Sequence, residues 1–185
     1  MKSNVAEPVR RSVLVQTSQQ DAFDAFTSRM GRWWNPAFSI SPTRAPMKDV
    51  IIEPRVGGRW FERGDDGAEC QWGQVLAWEP PTKVVLAWQI TSQWQFGAEF
   101  FTEVEVRFTP EGAGTRVELE HRLLERYGAA ESEIRGKLGS PAGWAGLLER
   151  FRESAVRLAD SLHTRLHPDG ARLFHSSHGL PSLLI

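Results

Sequence analysis

Few residues of this chain have the type and setting to do chemistry, and His121 is foremost among them. It follows Val117 and Leu119 at two-residue steps, while Arg116, Glu118, Glu120 and Arg122 alternate with them, so the imidazole falls on the apolar face of a strand. A histidine so placed serves either as a hydrogen-bonded core group or as a proton donor and polar anchor for a ligand carbonyl. The other four histidines, His163, His167, His175 and His178, gather near the C-terminus, and the first two are four apart, as in a zinc pair on a helix. No glutamate stands in the H-E-x-x-H register and no cysteine accompanies them, so no metal is expected. Cys70 is the only cysteine, which excludes an intramolecular disulfide; it has no histidine beside it and G-x-S-x-G is absent, so no catalytic nucleophile is assigned. Glu69, Glu99, Glu103 and Glu105 would form a carboxylate pair only if two met inside the fold, and their alternation sends them outward. Gly57-Gly58 lacks the G-x-G-x-x-G spacing and a following helix, and reads as a hairpin turn rather than a nucleotide site.

The aromatic residues carry more information. Eight Trp stand against one Tyr, and each indole buries on the order of 200 Å² while its N–H seeks an acceptor. Such a set builds either a large core or an aromatic-lined cavity for an apolar ligand. Trp33-Trp34 suggests an interface or a cavity mouth, and one inward and one outward indole at a helix end is an equally natural reading.

The elements that position these side chains follow from periodicity and turn chemistry. Val9 to Val15 is β-branched and bounded by Pro8 and Thr17-Ser18, which predicts a strand. Ser18 then caps a short helix to about Ser28, with Ala22, Phe23, Ala25 and Phe26 at helical spacing, and Met30 to Trp34 adds another turn that Asn35-Pro36 stops. Ala37 to Met47 is the least regular stretch. From Asp49 to His121 the period is two, and strands are predicted near 49–53, 58–63, 69–78, 83–91, 99–109 and 114–122, joined by turns such as Gly64-Asp65-Asp66-Gly67 and Glu111-Gly112-Ala113-Gly114. Phe100, Thr102, Val104, Val106 and Phe108 share one face against Glu99, Glu103, Glu105 and Arg107, so one side of the sheet is dry. Ser140-Pro141 opens a long amphipathic helix to Leu162, with Trp144, Leu147, Leu148, Phe151, Ala155 and Leu158 on its apolar stripe and Glu149, Arg150, Arg152 and Glu153 on its solvated face. Burying that stripe at roughly 1.5–3 kcal/mol per side chain outweighs any single polar feature of the chain.

Length and charge bound the function. One domain is the default for 185 residues, and 22 Lys and Arg against 23 Asp and Glu give a formal charge of −1, which removes the basic footprint of nucleic-acid binding. No apolar run is long enough for a signal peptide or a membrane span, so a cytoplasmic location without membrane insertion is expected.

The order of elements, together with Val56-Gly57-Gly58 at a hairpin, Trp72-Gly73-Gln74-Val75 leading to Glu79-Pro80-Pro81, Trp88 ending the next strand's core and Gly143-Trp144 at the last helix, resembles the START-like, or SRPBCC, superfamily. Within it, the likeness is to the branch named after the activator of the heat-shock chaperone ATPase, and it covers about residues 8–162. It implies an α+β helix-grip fold: a curved antiparallel sheet of about six to seven strands around a long C-terminal helix, with two short helices after the first strand. In many such proteins the enclosed cavity takes a hydrophobic small molecule.

Three expectations follow. A domain over residues 8–162, with a short extension over 1–7 and a tail over 163–185, binds a small hydrophobic molecule through Trp34, Trp72, Trp88, Phe100, Val104, Val106, His121, Trp144, Leu148 and Phe151, without a cofactor. The alternatives are a protein-partner or homodimer module that uses Trp33, Trp34 and the apolar Leu180 to Ile185, and a cyclase- or dehydratase-type enzyme with His121 as acid or base.

Overall fold

The computed structural model describes residues 5–166, the side chains of Leu162, His163 and Leu166 excepted. His167, His175, His178 and Leu180 to Ile185, on which the metal and apolar-tail expectations rest, lie outside the described residues.

Seven strands form one antiparallel sheet: β1 (Val9–Val15), β2 (Met47–Ile52), β3 (Arg59–Gly64), β4 (Glu69–Glu79), β5 (Lys83–Trp88), β6 (Thr102–Glu111) and β7 (Gly114–Arg122). Their order is β1-β7-β6-β5-β4-β3-β2, so β2 to β7 run as an uninterrupted meander and β1 closes onto β7. This is what period-two segments separated by tight turns must produce, since short antiparallel joins leave neighbours in sequence as neighbours in space. Helix α1 (Gln19–Thr27) is capped by Ser18, whose hydroxyl accepts from the Asp21 N–H at 3.2 Å. Single 3₁₀ turns follow at Met30–Arg32 and Pro36–Phe38. The long helix α3 (Gly146–Leu166) lies across the concave face of the sheet, giving the expected helix grip.

The convex face is a ladder of charges, as the alternation predicted: Arg122 reaches Glu103 at 2.9 Å and Glu105 at 2.8 Å, and Arg107 pairs with Glu105. Being partly solvated, such pairs contribute little each. The concave face packs against α1 and α3, where Phe26, Phe108, Phe151 and Trp33 meet edge to face or tilted at centroid distances of 4.9–5.8 Å.

The structure corrects the sequence reading in four places. A helix over Glu131–Leu138, α2, follows a 3₁₀ stretch at Leu124–Ala130 that periodicity did not announce. Ser140 does not cap the long helix; its hydroxyl donates to the Lys137 carbonyl at 2.8 Å, a wide turn occupies Pro141–Ala145, and α3 starts at Gly146 and runs past Leu162. Strand β6 begins at Thr102, leaving Phe100 in the preceding loop. Strand β5 ends at Trp88, where the chain turns into the 91–97 loop.

Candidate functional site

The tryptophans are brought together by a local irregularity of the sheet. Trp60 pairs with Gly73 and Phe61 with Gln71, so Trp72 is one residue too many for its partner strand. A β-bulge of this kind re-aims a side chain, and it turns Trp72 inward. Gly73 in turn lies in register between Trp60 on β3 and Trp88 on β5. Those two backbones are two strand spacings apart, about 9.5 Å, yet their indoles close to 5.7 Å because the position between them carries no side chain. A Cβ on Gly73 would lie 1.7 Å from the Ala87 carbonyl oxygen, so only glycine fits. Trp34 completes the array, 4.9 Å from Trp72, 5.9 Å from Trp144 and 6.3 Å from Trp60.

Trp144 is fixed from behind by His121. The Trp144 indole donates to His121 Nδ1 at 3.1 Å, so that nitrogen carries no proton, and Nε2 holds the proton and bonds the Thr102 hydroxyl at 2.8 Å. The imidazole is fully buried, and desolvation pushes its pKa down to about 3. It is neutral at physiological pH with both ring nitrogens engaged. Beyond Trp88, Tyr127 donates to the Ile90 carbonyl at 2.8 Å, and burial raises its phenol to about 12 against the pull of the Trp88 N–H and Thr102 hydroxyl facing its oxygen.

Two loops stand off from this array. The turn after Trp34 is tied down by Arg150, whose Nε donates to the Trp33 carbonyl at 2.8 Å, and by the buried carboxylate of Glu62, which accepts from the Ser39 hydroxyl at 2.8 Å and from the Ile40 N–H at 3.4 Å. Opposite, Gly143 presses against the end of α2: a Cβ there would sit 2.3 Å from the Leu138 carbonyl oxygen and 2.5 Å from that of Lys137. At the rim, Trp94 takes a left-handed backbone with φ of 58°, held by the Trp94 N–H donating to the Thr91 carbonyl at 3.0 Å, and Lys137 Nζ lies 5.7 Å from its ring centroid. Left-handed backbone is strained for so large a residue.

Between array and loops lies a cavity of about 410 Å³ that opens to solvent beside Phe38 and Ala142. Its wall is Trp34, Trp72, Trp88, Trp144, Ile90, Leu147, Ile40, Phe38 and Ala37, with Trp94, Lys137, Ser39, Ser140, Ala142 and Gly143. Of the residues singled out from sequence, Trp34, Trp72, Trp88 and Trp144 line it. Val104, Val106, Leu148 and Phe151 are buried in packed core beside it, His121 stands behind Trp88 and Trp144, and Phe100 packs on the Tyr127 ring at 4.8 Å. Sequence reasoning missed the loop residues: Phe38 and Ile40 follow the Asn35-Pro36 stop, and Lys137 and Ser140 belong to the unanticipated α2 and its exit. The signal for α2 was available in the i,i+4 pairs Glu131–Arg135 and Glu133–Lys137.

Polar groups in the wall are few. Lys137 is its only charged residue among the described residues, and no carboxylate lines it. The protons of both serine hydroxyls are committed, that of Ser39 to Glu62 and that of Ser140 to the Lys137 carbonyl. By contrast the indole N–H groups of Trp34, Trp72 and Trp88 are buried without an acceptor at hydrogen-bond geometry, as is that of Trp60 deeper in the array. An unpaired buried donor costs about 1–3 kcal/mol. No three His, Cys, Asp or Glu side chains converge as metal ligands among the described residues, and no described helix is long and apolar enough to cross a membrane.

Comparison with known proteins agrees with this architecture. The sequence model of the family described as Activator of Hsp90 ATPase homolog 1-like protein matches residues 16–155. Among solved structures, an anthrahydroquino-gamma-pyrone synthase, Txn09, complexed with SUM, is 37% identical over 81% of this chain and 97% of its own, with a TM-score of 0.57. The self-sacrificing resistance protein CalC from Micromonospora echinospora is 27% identical over 82% of this chain and 96% of its own, with a TM-score of 0.61. The Aha1 dimer from Colwellia psychrerythraea, 14% identical over 81% of this chain and 96% of its own with a TM-score of 0.54, shares the fold. No curated protein matches the chain.

Proposed function

Since the chain belongs to the family of Activator of Hsp90 ATPase homolog 1-like proteins, we propose that it binds a flat, largely apolar aromatic small molecule in the cavity between the end of the sheet and the start of α3. The observation that carries this reading is the cavity itself: about 410 Å³, within the range of small-molecule sites, and walled by five indoles, flat apolar surfaces that suit a planar guest. Kinship with a synthase named for a fused aromatic ring system supports the same class of guest. Burying about 200 Å² of apolar guest surface contributes about 5 kcal/mol, which corresponds to sub-millimolar affinity before the losses of association. Stacking and hydrogen bonds must supply the rest.

The test is calorimetric titration with a panel of two- to four-ring aromatics, repeated on Ala142→Trp. Ala142 lines the cavity yet is solvent-exposed, so the larger side chain fills the mouth without disturbing the core. Micromolar binding that weakens at least tenfold in the variant supports the reading; absence of binding across the panel, or binding indifferent to the substitution, refutes it.

Identity of 37% with a synthase favours ring-forming catalysis as a second reading. In it His121 positions Trp144 rather than exchanging protons, because its pKa lies near 3 and both nitrogens are bonded. Turnover of a bound aromatic that persists across the neutral range, where His121 does not titrate, distinguishes this reading from simple binding.

A further inference from the structure

The wall of the cavity sorts its polar groups by depth. The indole nitrogens of Trp34, Trp72 and Trp88 are closed off from open space, and that of Trp144 donates to His121, so the deep wall presents ring and aliphatic carbon. The side-chain polar atoms that remain belong to the loops framing the opening, on Ser39, Ser140 and Lys137. Only Lys137 among them is charged, and no Asp or Glu lines the wall to balance it; Glu62, buried and engaged by Ser39 and Ile40, is not part of the wall. Lys137 stands in the last turn of α2, four residues after Glu133, whose carboxylate takes one proton of the ammonium at 2.9 Å. Both side chains of that pair are more than half exposed, at 52% and 69%, so water screens it and it contributes little. The ammonium also lies 5.7 Å from the ring centroid of Trp94, itself a wall residue, which keeps the charge beside the rim.

We infer that the guest is amphipathic, with a carboxylate at one end of its flat apolar body, and that Lys137 reads this charge at the mouth while the indoles hold the rings. The direction of entry follows from the wall. Deep inside, a carboxylate would be stripped of water with no donor open to it, whereas at the mouth it stays partly hydrated and gains a charged partner. A cationic end group meets Lys137 with like charge and is disfavoured. Glu133 opposes the guest, because its own carboxylate competes for the same ammonium. This inference rests on the cavity reading above and adds the charge of the guest and the way round it sits.

The experiment compares two probes of one outline that differ in charge, anthracene-2-carboxylate and anthracene-2-carboxamide, by fluorescence anisotropy at neutral pH on the wild-type chain, Lys137→Met and Glu133→Gln. At about 0.01 M salt the carboxylate is expected to bind at least about threefold tighter than the amide, a modest factor because the ammonium is half exposed. The ratio falls to near one in Lys137→Met, rises in Glu133→Gln, and shrinks in the wild-type chain at about 0.5 M salt. Lys137 and Glu133 are both exposed, so neither substitution disturbs the core, and amide affinity reports in each variant that the cavity is kept. A smaller ratio, one that survives Lys137→Met, or one that does not rise in Glu133→Gln overturns this inference, while binding of the amide leaves the cavity reading standing. Binding of neither probe overturns both.

Discussion

Lowering the pH tests the wall of the cavity through His121. The imidazole titrates near 3 in the folded chain because it is wholly buried, against an ordinary value of 6.5. Below pH 6.5 the unfolded chain therefore takes up a proton that the folded chain refuses, and stability falls as pH falls. The contribution is intact above pH 6.5 and is lost progressively between 6.5 and 3. Between pH 8 and pH 5 the loss amounts to about 2 kcal/mol, because at pH 5 the unfolded imidazole is almost fully protonated and the folded one is not. That window lies above the carboxylates that are held low, Glu53 first by the Arg59 backbone N–H, Glu69 and Glu111 by hydrogen bonds from arginine side chains, and Glu105 by Arg122 and Arg107 against the opposing effect of burial, so His121 is separated from them. The assay is urea unfolding followed by far-ultraviolet circular dichroism at half-unit steps of pH, on the wild-type chain and on His121→Asn. The asparagine keeps an acceptor for the Trp144 N–H and removes the titration. The variant starts lower at pH 8, by about 1–3 kcal/mol for the lost partner of Thr102, but lacks the wild-type decline. The histidines at positions 163, 167, 175 and 178 are common to both chains and cancel in the comparison. Parallel pH profiles would refute the argument that His121 is kept neutral as the support of Trp144.

Two further substitutions probe the parts that hold the cavity open. Gly73→Ala sets a methyl against the Ala87 carbonyl oxygen inside a paired strand, where neither backbone can withdraw; a loss of about 3 kcal/mol or more in urea unfolding is expected, and a change below 1 kcal/mol contradicts the close approach of β4 and β5. Glu62→Gln keeps the shape but removes the charge that strengthens the bonds from Ser39 and Ile40. It should cost about 1–2 kcal/mol in unfolding and weaken binding of an aromatic probe by calorimetry; unchanged affinity would mean that the 36–40 loop does not depend on this anchor.

The sheet was legible in the sequence because each of its determinants is local. Alternation assigns the faces, and Gly- and Pro-containing turns assign the joins, so the meander and its charged convex side needed no long-range information. Helix α2 was not legible by the same means, since Glu131–Leu138 buries only Ile134 and Leu138 and announces itself by ion pairs rather than by an apolar stripe. The site divides along a similar line. Alternation and helical period put Val104, Val106, Phe151 and Leu148 on the inner face, and they are buried there, but facing inward does not say whether a side chain meets another side chain or empty space. That depends on how far the 36–40 and 137–147 segments stand off, which Glu62 and Arg150 decide through contacts remote in sequence and Gly143 through its close approach to the end of α2.

The inward turn of Trp72 depends on a bulge opposite Trp60, a register event that no periodicity within one strand can reveal. The hollow therefore lies where the regular pattern fails, at the end of the grip, whereas the regular middle of the sheet–helix interface is filled by phenylalanine and valine. A guest held there meets indoles set by an irregularity on one side and loops set by buried polar anchors on the other. Changes to the guest's shape should accordingly be answered by substitutions at the loops and at Gly73, and hardly by substitutions of Val104 or Val106.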